Sequence, residues 1–77
     1  MEAMKETRLT DSPLAAYLLV RGHCIRRVEG PSGRREFVFG AVPPEVIASF
    51  YGGDDLVSAR LLLDALRAVR GLLAQPA

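Results

Sequence analysis

The chain has few of the residues that carry chemistry. Its 77 residues hold one cysteine (Cys24), one histidine (His23), one lysine (Lys5) and no tryptophan. A lone cysteine excludes an internal disulfide framework and any multi-cysteine metal cluster. A structural zinc site wants about four nitrogen or sulfur ligands, more than one His and one Cys supply. The two are adjacent, and on a strand neighbours point to opposite faces, so they cannot share a metal or act as base and nucleophile. They read instead as a half-exposed imidazole and a buried thiol acting as a small hydrophobe. Long apolar runs are missing too. The longest, Leu14 to Val20, is seven residues, far short of the roughly 30 Å of a bilayer's hydrocarbon. No basic stretch leads into an apolar run with a small-residue cleavage site, so no secretory signal is expected and the cytoplasm is the default location. Charge of one sign is also absent. Ten basic residues against nine acidic give a net charge of +1, which excludes a strongly acidic or basic tail.

What is there is ordinary globular material, 49% apolar and 25% charged, enough for one small domain. Residues 1–6 and 75–77 are expected to fray. Residues 5–10 alternate weakly and can pair as an edge strand. Asp11-Ser12-Pro13 starts a helix: Asp or Ser can cap the free N–H groups, and proline suits the first turn because its missing N–H had no partner there. Leu14, Tyr17, Leu18 and Arg21 follow at helical spacing, and Gly22 supplies a left-handed stop. His23 to Glu29 and Arg35 to Ala41 read as two strands around Gly30-Pro31-Ser32-Gly33-Arg34, which makes a β-hairpin. A five-residue loop sets Glu29 opposite Arg35, Arg27 opposite Phe37 and Ile25 opposite Phe39. The other face then carries Cys24, Arg26, Val28 and Val38. Val42-Pro43-Pro44 breaks the strand and opens a short helix through Val46, Ile47, Phe50 and Tyr51, ended by Gly52-Gly53. Asp54-Asp55 is expected to cap the last helix, which runs to about Ala74. On it Ala59, Leu62, Leu66, Val69 and Leu73 recur at spacings of 3 and 4, Leu63 and Leu72 widen the stripe, and Arg60, Asp64 and Arg67 lie opposite.

The run Thr10-Asp11, then Leu14 to Leu18 and Gly22, resembles the opening of a family of small uncharacterised domains found in bacteria and their phages. Phe37-Val38-Phe39, the aromatic pair Phe50-Tyr51 before Gly52, and Leu56-Val57-Ser58-Ala59-Arg60 entering a leucine-rich helix are similar to the same outline, over about residues 7 to 73. The family has no assigned function, so the resemblance carries over no catalytic or binding residue. It implies a compact α+β module with a link to mobile elements.

Other constellations are better explained structurally. Adjacent Asp54 and Asp55 after a Gly-Gly turn suit a cap better than an acid–base pair, which needs distinct environments. Gly30-Pro31-Ser32-Gly33 lacks the Gly-Lys-Ser/Thr ending of a phosphate loop, and Ser32 has no Gly-x-Ser-x-Gly surroundings. No nucleophile–base–orienter set can be assembled, so catalysis, cofactors and metals are not expected. Two features remain. Between Arg21 and Glu36 five arginines face two glutamates, a local charge of +3. Arg26, Arg27, Arg34 and Arg35 on a hairpin can clamp phosphates, since guanidinium forks match phosphate oxygens, and an exposed Phe37 or Tyr17 would add stacking. Against this, the pI is near 8.0, below the value above about 9 common in nucleic-acid-binding domains. The second feature is the last helix, whose leucines cover more than one face, more than a small core can hide. Leu61, Leu62, Val69 and Leu72 are therefore the candidate partner-binding or self-association residues. The sequence thus predicts an α+β fold with an N-terminal helix, a hairpin, a short helix and a long C-terminal helix on the sheet. It predicts a non-enzymatic interaction module, with nucleic-acid binding through the hairpin arginines as the alternative.

Overall fold

The computed structural model of the chain describes residues 5–31, 33–53 and 55–75. Its elements run β1 (Thr7–Leu9), α1 (Ser12–Val20), β2 (Ile25–Glu29), β3 (Glu36–Phe39), α2 (Pro44–Gly52) and α3 (Ala59–Ala74). The sheet is antiparallel in the order β1-β3-β2, so the last strand in sequence is the middle one in space. This is the predicted α+β fold with its third strand from the segment before α1. No helix among the described residues is long and apolar enough to cross a membrane.

The N-terminal helix forms for the predicted reasons. The Asp11 carboxylate accepts from the Leu14 N–H at 3.1 Å, and Pro13 lies in the first turn. At the other end Gly22, at φ +95°, lets the chain turn back. The Gly22 N–H donates to the Leu19 carbonyl and the His23 N–H to the Leu18 carbonyl, which satisfies two orphan acceptors in the paired pattern of a glycine-terminated helix. From Leu14 to Leu18 every residue of α1 is buried. α1 is the central core element: α3 lies along it, α2 leans on it, and Phe37 and Phe39 pack beneath it with Val69 of α3. α2 contributes Val46, Ile47 and Phe50. The Phe50 ring sits 5.2 Å from that of Tyr17.

Several expectations are corrected. Ile25 does pair with Phe39, but the next pairs are Arg27 with Val38, Val28 with Phe37 and Glu29 with Glu36. One extra residue, Arg26, is accommodated by a bulge in β2. The bulge turns Val28 onto the core side with Ile25 and Phe37, where its apolar side chain belongs, and leaves Arg27 facing outward. Cys24 is exposed, not buried, because it precedes the strand. The last helix begins at Ala59, with the Ser58 hydroxyl accepting from the Leu61 N–H at 3.3 Å. Asp55 is not its cap; it is held sideways by Tyr17, whose buried phenol needs an acceptor. Asp54 lies outside the described residues. So do residues 1–4, 76 and 77 of the ends expected to fray, whereas Glu6 is firmly engaged and Gln75 caps α3.

Leu18 is fully buried and Leu61 is 57% exposed. Leu18→Ala should lower the unfolding free energy by about 2–5 kcal/mol, and Leu61→Ala should change it by about 0.5 kcal/mol or less, both read from urea denaturation. At Gly30, φ is +102° and an added Cβ would stand 2.6 Å from the Arg34 carbonyl oxygen. Gly30→Ala should therefore cost more than about 1 kcal/mol in the same assay.

Candidate interaction surface

The outer face of the sheet explains where the hairpin arginines go. Phe37, Val38 and Phe39 of β3 are all fully buried. Successive strand residues face opposite ways, so Phe37 and Phe39 enter the core and Val38 faces out, yet it too is shielded from solvent. The register places Arg8 of β1 and Arg27 of β2 on either side of it. Each reaches over the central strand to the opposite edge. The Arg8 guanidinium donates to Glu29 of β2 at 2.5 Å. The Arg27 guanidinium donates through both terminal nitrogens to Glu6, beside β1, at 2.8 Å each, and its Nε donates to Glu29. The two arginines therefore cross Val38 from both sides, and their aliphatic stems cover it while their heads stay wet. Arg26 approaches Glu6 at 3.7 Å and Glu36 approaches Arg8 at 3.8 Å. The bonds from Arg27 hold the Glu6 carboxyl below its usual range, and bonds from Arg27 and Arg8 do the same for Glu29.

The four arginines of the nucleic-acid candidate are thus divided. Arg27 is spent on the cross-strand lattice and Arg26 lies at its margin. Arg34 and Arg35 make no ion pair among the described residues. Arg35 is half-buried, and its Nε is a buried donor with no hydrogen-bond partner among the described residues. The stacking role considered for Phe37 and Tyr17 is overturned, since both are buried in the core.

The α3 candidates divide as well. Val69 is fully buried and Leu62 packs on the core, so these two hold α3 in place and do not present themselves to a partner. Leu61 is exposed, Leu72 is half-buried, and Leu63 is 59% exposed. Just before the helix Leu56 is 94% exposed. Leu56 is not among the contact residues expected from the sequence, Leu61, Leu62, Val69 and Leu72. In its extended setting its neighbour Val57 turns onto the core and Leu56 stands clear.

Two grooves flank the C-terminal end of α3. One, about 580 Å³, is lined by Thr10, Gly33, Arg34, Arg35, Glu36 and Leu73. The other, about 480 Å³, runs between β2 and α3 over Ile25, Arg26, Arg27, Val28, Gly30, Arg35, Leu72 and Gln75. Arg35 belongs to both. Elsewhere, carboxylates tie α1 to α2 and to the α2–α3 connection. The Tyr17 hydroxyl donates to Asp55 at 2.5 Å, Arg21 pairs with the same oxygen at 3.0 Å, and the Tyr51 hydroxyl donates to Asp11 at 3.0 Å. The bond to Asp55 raises the Tyr17 phenol above its usual range, and the bond to Asp11 raises Tyr51. These pairings are distant in sequence, and no local pattern signals them. Among the described residues no group of three or more His, Cys, Asp or Glu side chains is placed to hold a metal ion.

No protein-family model, curated protein or solved structure matches the chain.

The depressed carboxyls of Glu6 and Glu29 give the lattice a defined pH signature. A carboxyl whose folded value lies below its unfolded one adds stability above the unfolded value, near 4.5, and loses it as the pH falls through the folded value. The melting temperature should therefore drop as the pH is taken below about 4.5, and the Glu6→Gln, Glu29→Gln double variant should flatten that part of the curve. Thermal unfolding by circular dichroism across an acid series checks this.

Proposed function

We propose that the chain is a small non-enzymatic interaction module, working in the cytoplasm, that associates with a second copy or docks a protein partner through α3 and the adjoining sheet. The observation that carries this reading is the exposure of Leu56, Leu61 and Leu63 in one short stretch around the start of α3. A single exposed leucine is ordinary, but several on so small a chain offer apolar surface to a partner, with Leu61 and Leu63 on opposite flanks of the core-packed Leu62. Each such side chain gains roughly 1.5–3 kcal/mol on full burial, so a partner that covers them gains affinity from residues the core does not use. Leu72, on the same side of α3 as Leu61, extends this surface toward the sheet. Kinship with the small bacterial and phage domains belongs to the same proposal.

A second reading, nucleic-acid binding, keeps some support from Arg34 and Arg35, the two hairpin arginines without an ion pair among the described residues. The commitment of Arg27 to Glu6 and Glu29 weighs against it.

Light scattering over a range of protein concentrations, with and without Leu61→Glu and Leu63→Glu, tests the first reading. The expected outcome is concentration-dependent association that the double variant abolishes while its circular dichroism spectrum is unchanged. Association identical in both forms would overturn the assignment of α3. Fluorescence anisotropy with labelled DNA and RNA at about 50 and 200 mM salt tests the second. Binding that falls steeply with salt, as counterion release requires, would put Arg34 and Arg35 in front.

A further inference from the structure

The groove between β2 and α3 has a geometry the leucine surface does not explain. It is lined by consecutive residues 25–28 of β2. Consecutive strand residues project to opposite faces, so a groove that touches all of them follows the edge of the strand and not one face of the sheet. β2 is an edge strand, and among the described residues no strand lies on its outer side. Edge backbone groups are a template for another strand, and a groove walled by a helix on one side and an edge strand on the other is a setting in which an extended peptide adds to a sheet. Ile25, Val28 and Leu72 supply apolar contacts. The charged lining is one-sided: Arg26, Arg27 and Arg35, with no carboxylate. Arg27 is already satisfied by Glu6 and Glu29. Arg26 is 52% exposed, and its nearest carboxylate among the described residues, that of Glu6, is 3.7 Å away. Arg35 has no ion pair among the described residues and carries the buried, unpartnered Nε. That nitrogen is closed to solvent, so an incoming carboxylate would meet the terminal nitrogens of the same guanidinium, whose charge has no ion pair among the described residues. A second copy's β2 is a poor occupant, because it would bring Arg26 and Arg27 against the same arginines.

We propose that the groove along the free edge of β2 takes an extended, acidic segment of a partner protein as an added strand, its carboxylates set against Arg35 and Arg26. This rests on the docking reading above and names the partner's chemistry at the sheet end of that surface. The backbone of the segment continues the sheet, its apolar side chains contact Ile25, Val28 and Leu72, and its charge selects it over neutral or basic strands.

The test uses a fluorescein-labelled peptide of alternating Glu and Val residues, its Lys-Val counterpart, and a Glu-Val peptide N-methylated at every second backbone nitrogen. Binding is followed by anisotropy and by backbone amide shifts of the full chain. Expected are saturable binding of the acidic peptide alone, shifts confined to residues 25–30 and 72–75, and loss of binding on N-methylation. Arg35→Gln should weaken binding about tenfold or more, as expected for a charge-assisted hydrogen bond. The N-methylated peptide makes the test on the unaltered chain, so it stands even if that variant folds poorly. Equal binding of acidic and basic peptides, no binding of the acidic one, indifference to N-methylation, or shifts centred on Leu61 and Leu63 would each overturn the proposal. If the peptides fail while Leu61→Glu and Leu63→Glu still abolish association, the groove assignment falls and the docking module stands. If the acidic peptide binds as described while that double variant has no effect, the groove stands and the α3 leucines lose their role.

Discussion

The structure depends on covering one strand from both sides. β3 is the middle of a three-stranded sheet with three consecutive fully buried residues, and a small chain has enough helix to cover only one face of it. α1 and α3 close over Phe37 and Phe39. The opposite face is closed by the stems of two arginines that cross above Val38 and anchor on carboxylates at the far edges. Individually such exposed ion pairs contribute little. Their value here lies in shielding an apolar side chain and joining β1 to β2, two strands that share no backbone hydrogen bond. The arginine-rich composition of the hairpin follows in part from this task.

The same economy shapes the rest of the surface. Arginines at the middle of the sheet are consumed by the lattice, while Arg34 and Arg35 at its end are left over. Leucines along the middle of α3 are consumed by α1 and the core, while those at its start are left over. The surface features that suggest function are thus those that the fold does not employ, and they fall at two places: the entrance to α3, and the groove where α3 passes the edge of β2. The proposed docking reading, with an apolar contact at one place and a charged strand-addition site at the other, draws on both.

Much of this was legible in the sequence where the signal is local. Asp11, Pro13 and Gly22 bound α1 within a residue or two because caps and left-handed stops are short-range devices. Gly53 ends α2 and the hairpin turn falls at Gly30 to Gly33 for the same reason. The hairpin register was legible only at Ile25 and Phe39. The bulge at Arg26 is set by the need to put Val28 on the core side, which alternation alone cannot locate. The start of α3 was misread because Asp55 is claimed by Tyr17 and Arg21, partners more than thirty residues away in sequence. Val69 and Leu62 looked like contact residues because a helical stripe does not show which of its leucines the core will use. The lattice over Val38 was invisible, since it needs the order β1-β3-β2 before Glu6 and Arg27 become neighbours.

That strand order also fixes how the sheet must assemble. β2 and β3 are joined by a short turn and meet at little entropic cost. β1 can pair with β3 only after the chain between Leu9 and Phe37, α1 included, has closed into a loop, and loop closure is unfavourable until the contacts it permits are made. A three-residue strand offers few such contacts in its backbone. The β2–β3 hairpin is therefore the part that can form first, and β1 is a later addition, retained by guanidinium bridges to β2, a strand with which it shares no backbone hydrogen bond.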